Sequence, residues 1–218
     1  MTVYPPVRKI VERLEERYGR TRHVPRFDPM EELVSCILSQ HTTDASSFPA
    51  FTRMRAHYAD WQAIEDASDA EVADVIRKAG LANQKARSIR ACLRAIRLEF
   101  GSHTLEPLRA MDWREAKSWL QKLPGVGPKT ASIVLCFAFG RPAIPVDTHV
   151  FRVSWRLGLV DRSIGEAKAH DLLSALVPED LAFRFHTALI QHGRLTCKAP
   201  KPNCDACPLS DVCPSRAG

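Results

Sequence analysis

Leu123-Pro-Gly-Val-Gly-Pro-Lys-Thr-Ala131 joins a predicted helix over 112–122 to a second over 129–139 that is apolar on nearly every face. Gly125 and Gly127 permit positive φ and carry no Cβ, so backbone amides around Val126 are open to close approach by another molecule. Pro128 suits the first turn of the second helix, where a missing N–H costs nothing. Free amides and the helix dipole at that point favour an anion, and DNA phosphate is the obvious one. A plain corner between two bundle helices would use the same residues.

Outward from this hairpin, helix-start signals recur as an acceptor side chain followed three residues later by Glu. They are Asp28 with Glu31, Ser68 with Glu71, Asp112 with Glu115 and Ser163 with Glu166. Apolar residues between them fall at helical spacing, as in Leu33, Cys36, Ile37 with Gln40, and Ile89, Cys92, Leu93, Ile96; no stretch alternates as a half-buried strand would. These patterns predict an all-α fold. The 218 residues suffice for one large domain or two small ones, and 45% apolar with 26% charged residues is a globular composition. The longest apolar run, Ala131 to Gly140, is far short of the roughly 20 residues of a membrane span, and Met1 to Pro6 lacks a signal-peptide core. A soluble protein without membrane contact is expected. A net charge of +6 suits a polyanionic partner, provided the charges cluster.

Lys129 stands in the first turn of the second helix, where the dipole disfavours a cation, and is followed by Ile133, Val134, Leu135 and Phe137. Dipole and apolar surroundings would both lower its pKa, which is how an amine becomes a nucleophile near neutral pH; a lysine meeting phosphate as a point charge is the commoner alternative. Asp147 lies 18 residues on. The helix rises about 17 Å, and the Pro-rich stretch Arg141 to Val146 reaches about 21 Å, so the chain is long enough to bring the carboxylate back. There it would take a proton or stabilise positive charge, while also being a natural N-cap for Thr148-His149-Val150-Phe151.

Cys197, Cys204, Cys207 and Cys213 crowd the end of the chain. Four thiolates in a loop without periodicity suit tetrahedral zinc or a cubane iron–sulfur cluster in a reducing compartment, and softness alone does not choose between them. Lys198 and Lys201 project from the first loop between these ligands, with Arg194 just before it, and offer a basic surface to a DNA backbone. Cys36, Cys92 and Cys136 read as buried small hydrophobes.

Taken together, Leu123 to Ala131, Val146-Asp-Thr-His-Val-Phe-Arg152, His192-Gly-Arg194 and the four-cysteine loop resemble endonuclease III, a family of helix-hairpin-helix base-excision DNA glycosylases. The likeness runs from Asp28 to Cys213 with the motifs in order. It implies a two-lobed fold, with 28–140 as a helical barrel carrying the hairpin and 1–27 plus 141–218 as an iron–sulfur domain. It also implies a [4Fe-4S] cluster on the four cysteines, a monovalent cation at the hairpin, and damaged double-stranded DNA as partner of a monomeric, cytoplasmic, nucleoid-associated protein. Lys129 falls on the lysine that attacks C1′, expels the base and forms a Schiff base before β-elimination; Asp147 falls on the catalytic aspartate. Gly125, Val126 and Gly127 fall on the phosphate grip, and Leu81 on the leucine wedged into the duplex, although sequence alone favours a core leucine there. In Ser39-Gln-His-Thr-Thr-Asp44, the family's usual Gln is replaced by His41, beside Gln40, where the hole left by the flipped base is filled. His stacks and hydrogen-bonds with different donors from Gln, so the family's opposite-base preference does not carry over to this chain by resemblance.

The expected function is therefore excision of oxidised pyrimidines with AP lyase activity. The alternatives are a uracil or thymine mismatch glycosylase of the same superfamily and, from another class, a non-catalytic iron–sulfur DNA-binding protein. Val34-Ser-Cys-Ile-Leu38 lacks the Glu of adenine-specific relatives. A basic stretch from Arg77 to Arg97 contains no acid and puts Arg87, Arg90, Arg94 and Arg97 on one helical face; solvated face and DNA contact are equally open.

Overall fold

The computed structural model describes residues 6–216, so that of the stretch Met1 to Pro6 only Pro6 is described. The described residues are helical without strands. They fall into two compact units: a continuous one, Pro25–Phe139, and one assembled from Met1–Val24 and Gly140–Gly218.

The helices in chain order are α1 (Val7–Tyr18), α2 (Pro29–Ser39), α3 (Asp44–His57), α4 (Trp61–Asp66), α5 (Asp69–Val75), α6 (Ala82–Phe100), α7 (Trp113–Leu120) and α8 (Pro128–Ile133). They continue with α9 (Thr148–Arg156), α10 (Gly165–Leu176) and α11 (Ala182–Leu195). In the continuous unit α6 is the longest helix and packs on α4 and α5, while α2 packs on α3 and α8. Ile89, Cys92, Leu93 and Ile96 of α6 are all fully buried, as are Leu33 and Ile37 of α2. Each such aliphatic side chain contributes about 2 kcal/mol of transfer free energy. Cys36, Cys92 and Cys136 are buried, and burial pushes the thiols of Cys92 and Cys136 up to about 12.

The predicted helix starts divide. Ser68 and Glu71 form a complete capping box, with Glu71 N donating to Ser68 Oγ at 3.2 Å and Ser68 N to Glu71 Oε2 at 2.7 Å. Asp28 caps α2 and Asp112 caps α7. Ser163 does not cap: it lies within a 3-10 turn, Arg162–Ile164, that Asp161 caps instead, and α10 starts at Gly165 without a side-chain cap. Asp44 is the first residue of α3, after Thr43, rather than its cap. The helix predicted over 129–139 also changes character. After α8 the chain widens into a π-helical turn, Val134–Ala138, buried among α2 and α7. With apolar side chains on nearly every face, this segment has no polar edge to fix its phase, and packing sets its winding.

The second unit packs α1 and α9 against α11, around Ile10, Val11, Leu14, Val150, Val153, Phe185 and Leu189. The tail after α11 forms turns rather than a helix.

Candidate functional site

Hydrogen bonds tie the hairpin of the continuous unit to the end of α2 and to α6. The hairpin 123–127 turns tightly, with Val126 N donating to Leu123 O at 3.1 Å. Gln40, at the end of α2, donates from Nε2 to Gly125 O at 2.8 Å and to Thr130 Oγ1 at 3.3 Å. Cys92 of α6 donates to Pro124 O at 3.1 Å. Gly125 adopts φ +78°, and a Cβ there would lie 2.9 Å from Ser88 Oγ, so this position requires glycine on both counts. Gly127 departs from expectation: its φ is −92° and a Cβ would meet nothing within 4 Å. The open space on Gly127 leaves its backbone accessible from outside, whereas Gly125 serves the loop's own packing.

Lys129 is the second residue of α8 and is exposed. The apolar enclosure expected around its amine is absent because Ile133, Val134 and Leu135 lie further along, where the chain turns into the core. The buried Cys36 thiol of α2, on which α8 packs, senses the Lys129 charge. Burial raises that thiol far more than the lysine lowers it.

Leu81 is not a core leucine. It is 53% exposed and left-handed, φ +49° and ψ +35°, immediately before α6. His41 is exposed at φ +53°. These are the two non-glycine residues with positive φ among the described residues. Such a conformation costs about 1–2 kcal/mol per residue and persists only where the surroundings impose it. Between the two loops lies Lys85, a member of the basic stretch from Arg77 to Arg97. It is 3% exposed, and its Nζ donates to Leu38 O and Ala79 O, both at 2.7 Å.

The remainder of the basic face is tied down by acids from earlier helices. Arg97 binds Glu65 Oε1 at 2.7 Å, Arg94 approaches Glu65 at 3.7 Å, and Arg87 and Arg90 reach Asp69. Arg77 pairs with Asp74. The Arg97 hydrogen bond, joined by His103 at 2.7 Å, holds the Glu65 carboxyl down at about 2. These acids, at 65 and 69, precede the basic stretch in sequence and reach it through the packing of α4 and α5 on α6.

In the second unit, Asp147 is half-buried and caps α9 through Oδ1, which accepts Val150 N at 2.7 Å and leaves Oδ2 outside the cap. Among the described residues no group of three His, Cys, Asp or Glu stands ready to hold a metal ion. Cys197, Cys204, Cys207 and Cys213 nevertheless line one small cavity, partly open to solvent, together with Val153 and Leu157. Leu209 N donates to Cys207 Sγ at 3.4 Å and Arg156 Nη1 to Cys197 Sγ at 3.2 Å. Burial raises the thiols of Cys207 and Cys213, so a bare thiolate is disfavoured and a cationic metal centre would offset the cost. The donor set thus fits a thiolate-bound metal group. Arg156, which sequence reading missed, also donates to Lys198 O at 2.8 Å and Ala199 O at 3.0 Å, shaping the first loop. Lys198 and Lys201 are exposed on that loop. His192 of α11 bonds Tyr18 through Nδ1 at 2.9 Å, and burial holds it down at about 4.

Comparison with known proteins bears on all of this. The profile of the HhH-GPD superfamily of base excision DNA repair proteins matches residues 34–179. Endonuclease III of Thermotoga maritima is 34% identical over 206 residues, 94% of this chain and 89% of its own. A non-covalent endonuclease III–DNA complex superposes with TM-score 0.78 at 31% identity, over 96% of this chain and 94% of that one. A trapped endonuclease III–DNA covalent intermediate gives TM-score 0.78 and 31% identity over 96% of this chain and 95% of that one. Among the described residues no helix is long and apolar enough to cross a membrane.

Proposed function

Because the chain belongs to the HhH-GPD superfamily of base excision DNA repair proteins and, within it, to the endonuclease III family, we propose that it is a DNA glycosylase with AP lyase activity that removes oxidised pyrimidines from duplex DNA. The observation that carries this reading is Lys129: an exposed amine in the first turn of α8, directly behind a hairpin whose backbone Gln40 and Cys92 hold in place. The trapped covalent intermediate of a structural relative supports a nucleophilic enzyme.

In this mechanism Lys129 Nζ, after giving up a proton, attacks C1′ of the damaged nucleoside. A C–N bond forms as the C1′–base bond breaks, and the base leaves with the electron pair and takes up a proton. The amine loses a proton as the sugar ring opens, leaving a Schiff base that acidifies C2′; removal of a C2′ proton then breaks the C3′–O bond and nicks the strand. Asp147 Oδ2, free of the α9 cap, accepts the amine's proton or balances the developing positive charge. Amides around Val126 and Gly127 bind phosphate, Leu81 enters the duplex, and His41, beside Gln40, fills the space left by the flipped base. Exposure and a left-handed backbone at both Leu81 and His41 support these roles.

Cys197, Cys204, Cys207 and Cys213 would hold a [4Fe-4S] cluster. When bound, the cluster supplies a structural clamp on the loop that presents Lys198 and Lys201 to the DNA backbone. A monovalent cation at the hairpin carbonyls belongs to the same proposal. So does the assignment of 28–140 to the barrel and of 1–27 with 141–218 to the cluster domain of a monomeric, cytoplasmic protein. The test is a panel of duplexes bearing single oxidised or mismatched pyrimidines opposite each base, with base release and nicking assayed separately. Oxidised pyrimidines should be released and nicked, and Lys129→Gln should lose both; release of mismatched uracil or thymine alone would replace the substrate assignment.

A further inference from the structure

We propose that Lys85 is a positioning residue that sets Leu81 and His41 as a pair, so that wedge and gap-filling side chain enter the duplex at a fixed separation. The proposal rests on the glycosylase reading above.

Lys85 makes contact with both loops. Its ammonium, 3% exposed, donates to Leu38 O and to Ala79 O at 2.7 Å each. Leu38 is the penultimate residue of α2, and Ala79 ends the 3-10 turn Arg77–Ala79. Both carbonyls belong to helix ends, where the last C=O groups have no partner along the helix and the dipole is negative. One cation therefore caps two helix termini. Positive φ follows each terminus: at once after Ala79, at Gly80 (φ +66°) and Leu81 (φ +49°), and at His41 (φ +53°), three residues after Leu38. The backbone of Lys85 closes the arrangement, since its N–H donates to Leu81 O at 3.0 Å.

A first-turn lysine gains nothing from the dipole of its own helix, and burial lowers its pKa. The two carbonyls are what make the position favourable, and both lead straight to an exposed, strained side chain. Gln40 extends the coupling to the hairpin through Gly125 O. The Lys85 ammonium thus ties the end of α2 to the turn that leads into the wedge, and Gln40 ties the end of α2 to the phosphate grip.

The test uses the full chain and Lys85→Met. Two rates are compared under single-turnover conditions: excision of an oxidised pyrimidine from a duplex, and cleavage at an abasic site in a single strand, which has no stack to enter and no opposite base. Their ratio is independent of the fraction of protein that is folded. Misplacing the wedge should lower the ratio about tenfold and flatten the dependence on the opposite base. In a Leu81→Ala background, which has no wedge to misplace, Lys85→Met should change the ratio by less than about twofold. An unchanged ratio, or an equal fall with and without Leu81, overturns the proposal. If Lys85→Met yields no folded protein, Lys85→Gln, which keeps two N–H donors on a shorter stem, is carried through the same cycle and should give an intermediate ratio. An unmutated protein inactive on every substrate would sink the glycosylase reading itself, and that failure is seen without any variant.

Discussion

Two regions of the continuous unit, both open to DNA contact in the sequence, behave oppositely. The α6 face carries Arg87, Arg90, Arg94 and Arg97, a denser positive stripe than anything near the hairpin, yet Glu65 and Asp69 bind it back into the fold. The loops around Gly125, His41 and Leu81 carry little charge, but they hold exposed side chains in left-handed backbone and a hairpin that accepts no Cβ at Gly125. Charge density marks the scaffold here, and strain with exposure marks the surface that acts.

Gly125→Val attacks the second region hardest. With φ +78° and Ser88 Oγ 2.9 Å from the added Cβ, the substitution should cost about 2–3 kcal/mol in denaturant unfolding and abolish retention on duplex DNA at moderate salt. A stability loss in the first region is expected from acid. The Glu65 carboxyl is held at about 2 by its Arg97 bond, below its ordinary value of about 4.3. The stabilisation is therefore complete above pH about 4 and lost as pH falls through about 2, and after allowance for the partly exposed arginines it amounts to about 2 kcal/mol. Glu65→Gln should remove that pH dependence from the unfolding curve. Gly127→Ala separates fold from function: with open space at the Cβ and φ −92°, stability should move by less than about 0.5 kcal/mol, while DNA affinity falls about tenfold because the methyl stands in the path of phosphate. The smallest effect belongs to Arg94→Ala, 61% exposed and 3.7 Å from Glu65. Stability should change by less than about 0.5 kcal/mol and the salt dependence of DNA binding not at all; a reduced salt slope would return α6 to the DNA-facing surface.

Much of the helical scaffold was legible because burial repeats with helical period: Ile89, Cys92, Leu93 and Ile96 all point inward as their spacing requires. Starts were legible where a local hydrogen bond decides them, as at Ser68 with Glu71, and illegible at Ser163, where Asp161 captures the turn two residues earlier. The π-helical turn over Val134–Ala138 left no local trace, since its winding answers to α2 and α7. At the candidate site, the hairpin and the four cysteines stood out by residue type and spacing. Leu81 and Lys85 did not, because exposure and burial there depend on loops brought together across the chain: the apolar residue faces solvent and the cation is inside. The expected apolar setting of Lys129 failed because its side chain lies on the exposed side of the first turn, while Thr130, Ala131 and Ser132 beside it are buried.

The central claim is that the Lys129 amine forms the covalent bond to the sugar. Duplex DNA bearing an oxidised pyrimidine, incubated with the protein and borohydride and then digested for mass mapping, should yield a reduced adduct on the peptide containing Lys129, with no adduct in Lys129→Gln. An adduct on another amine, or one that persists in that variant, would contradict the account.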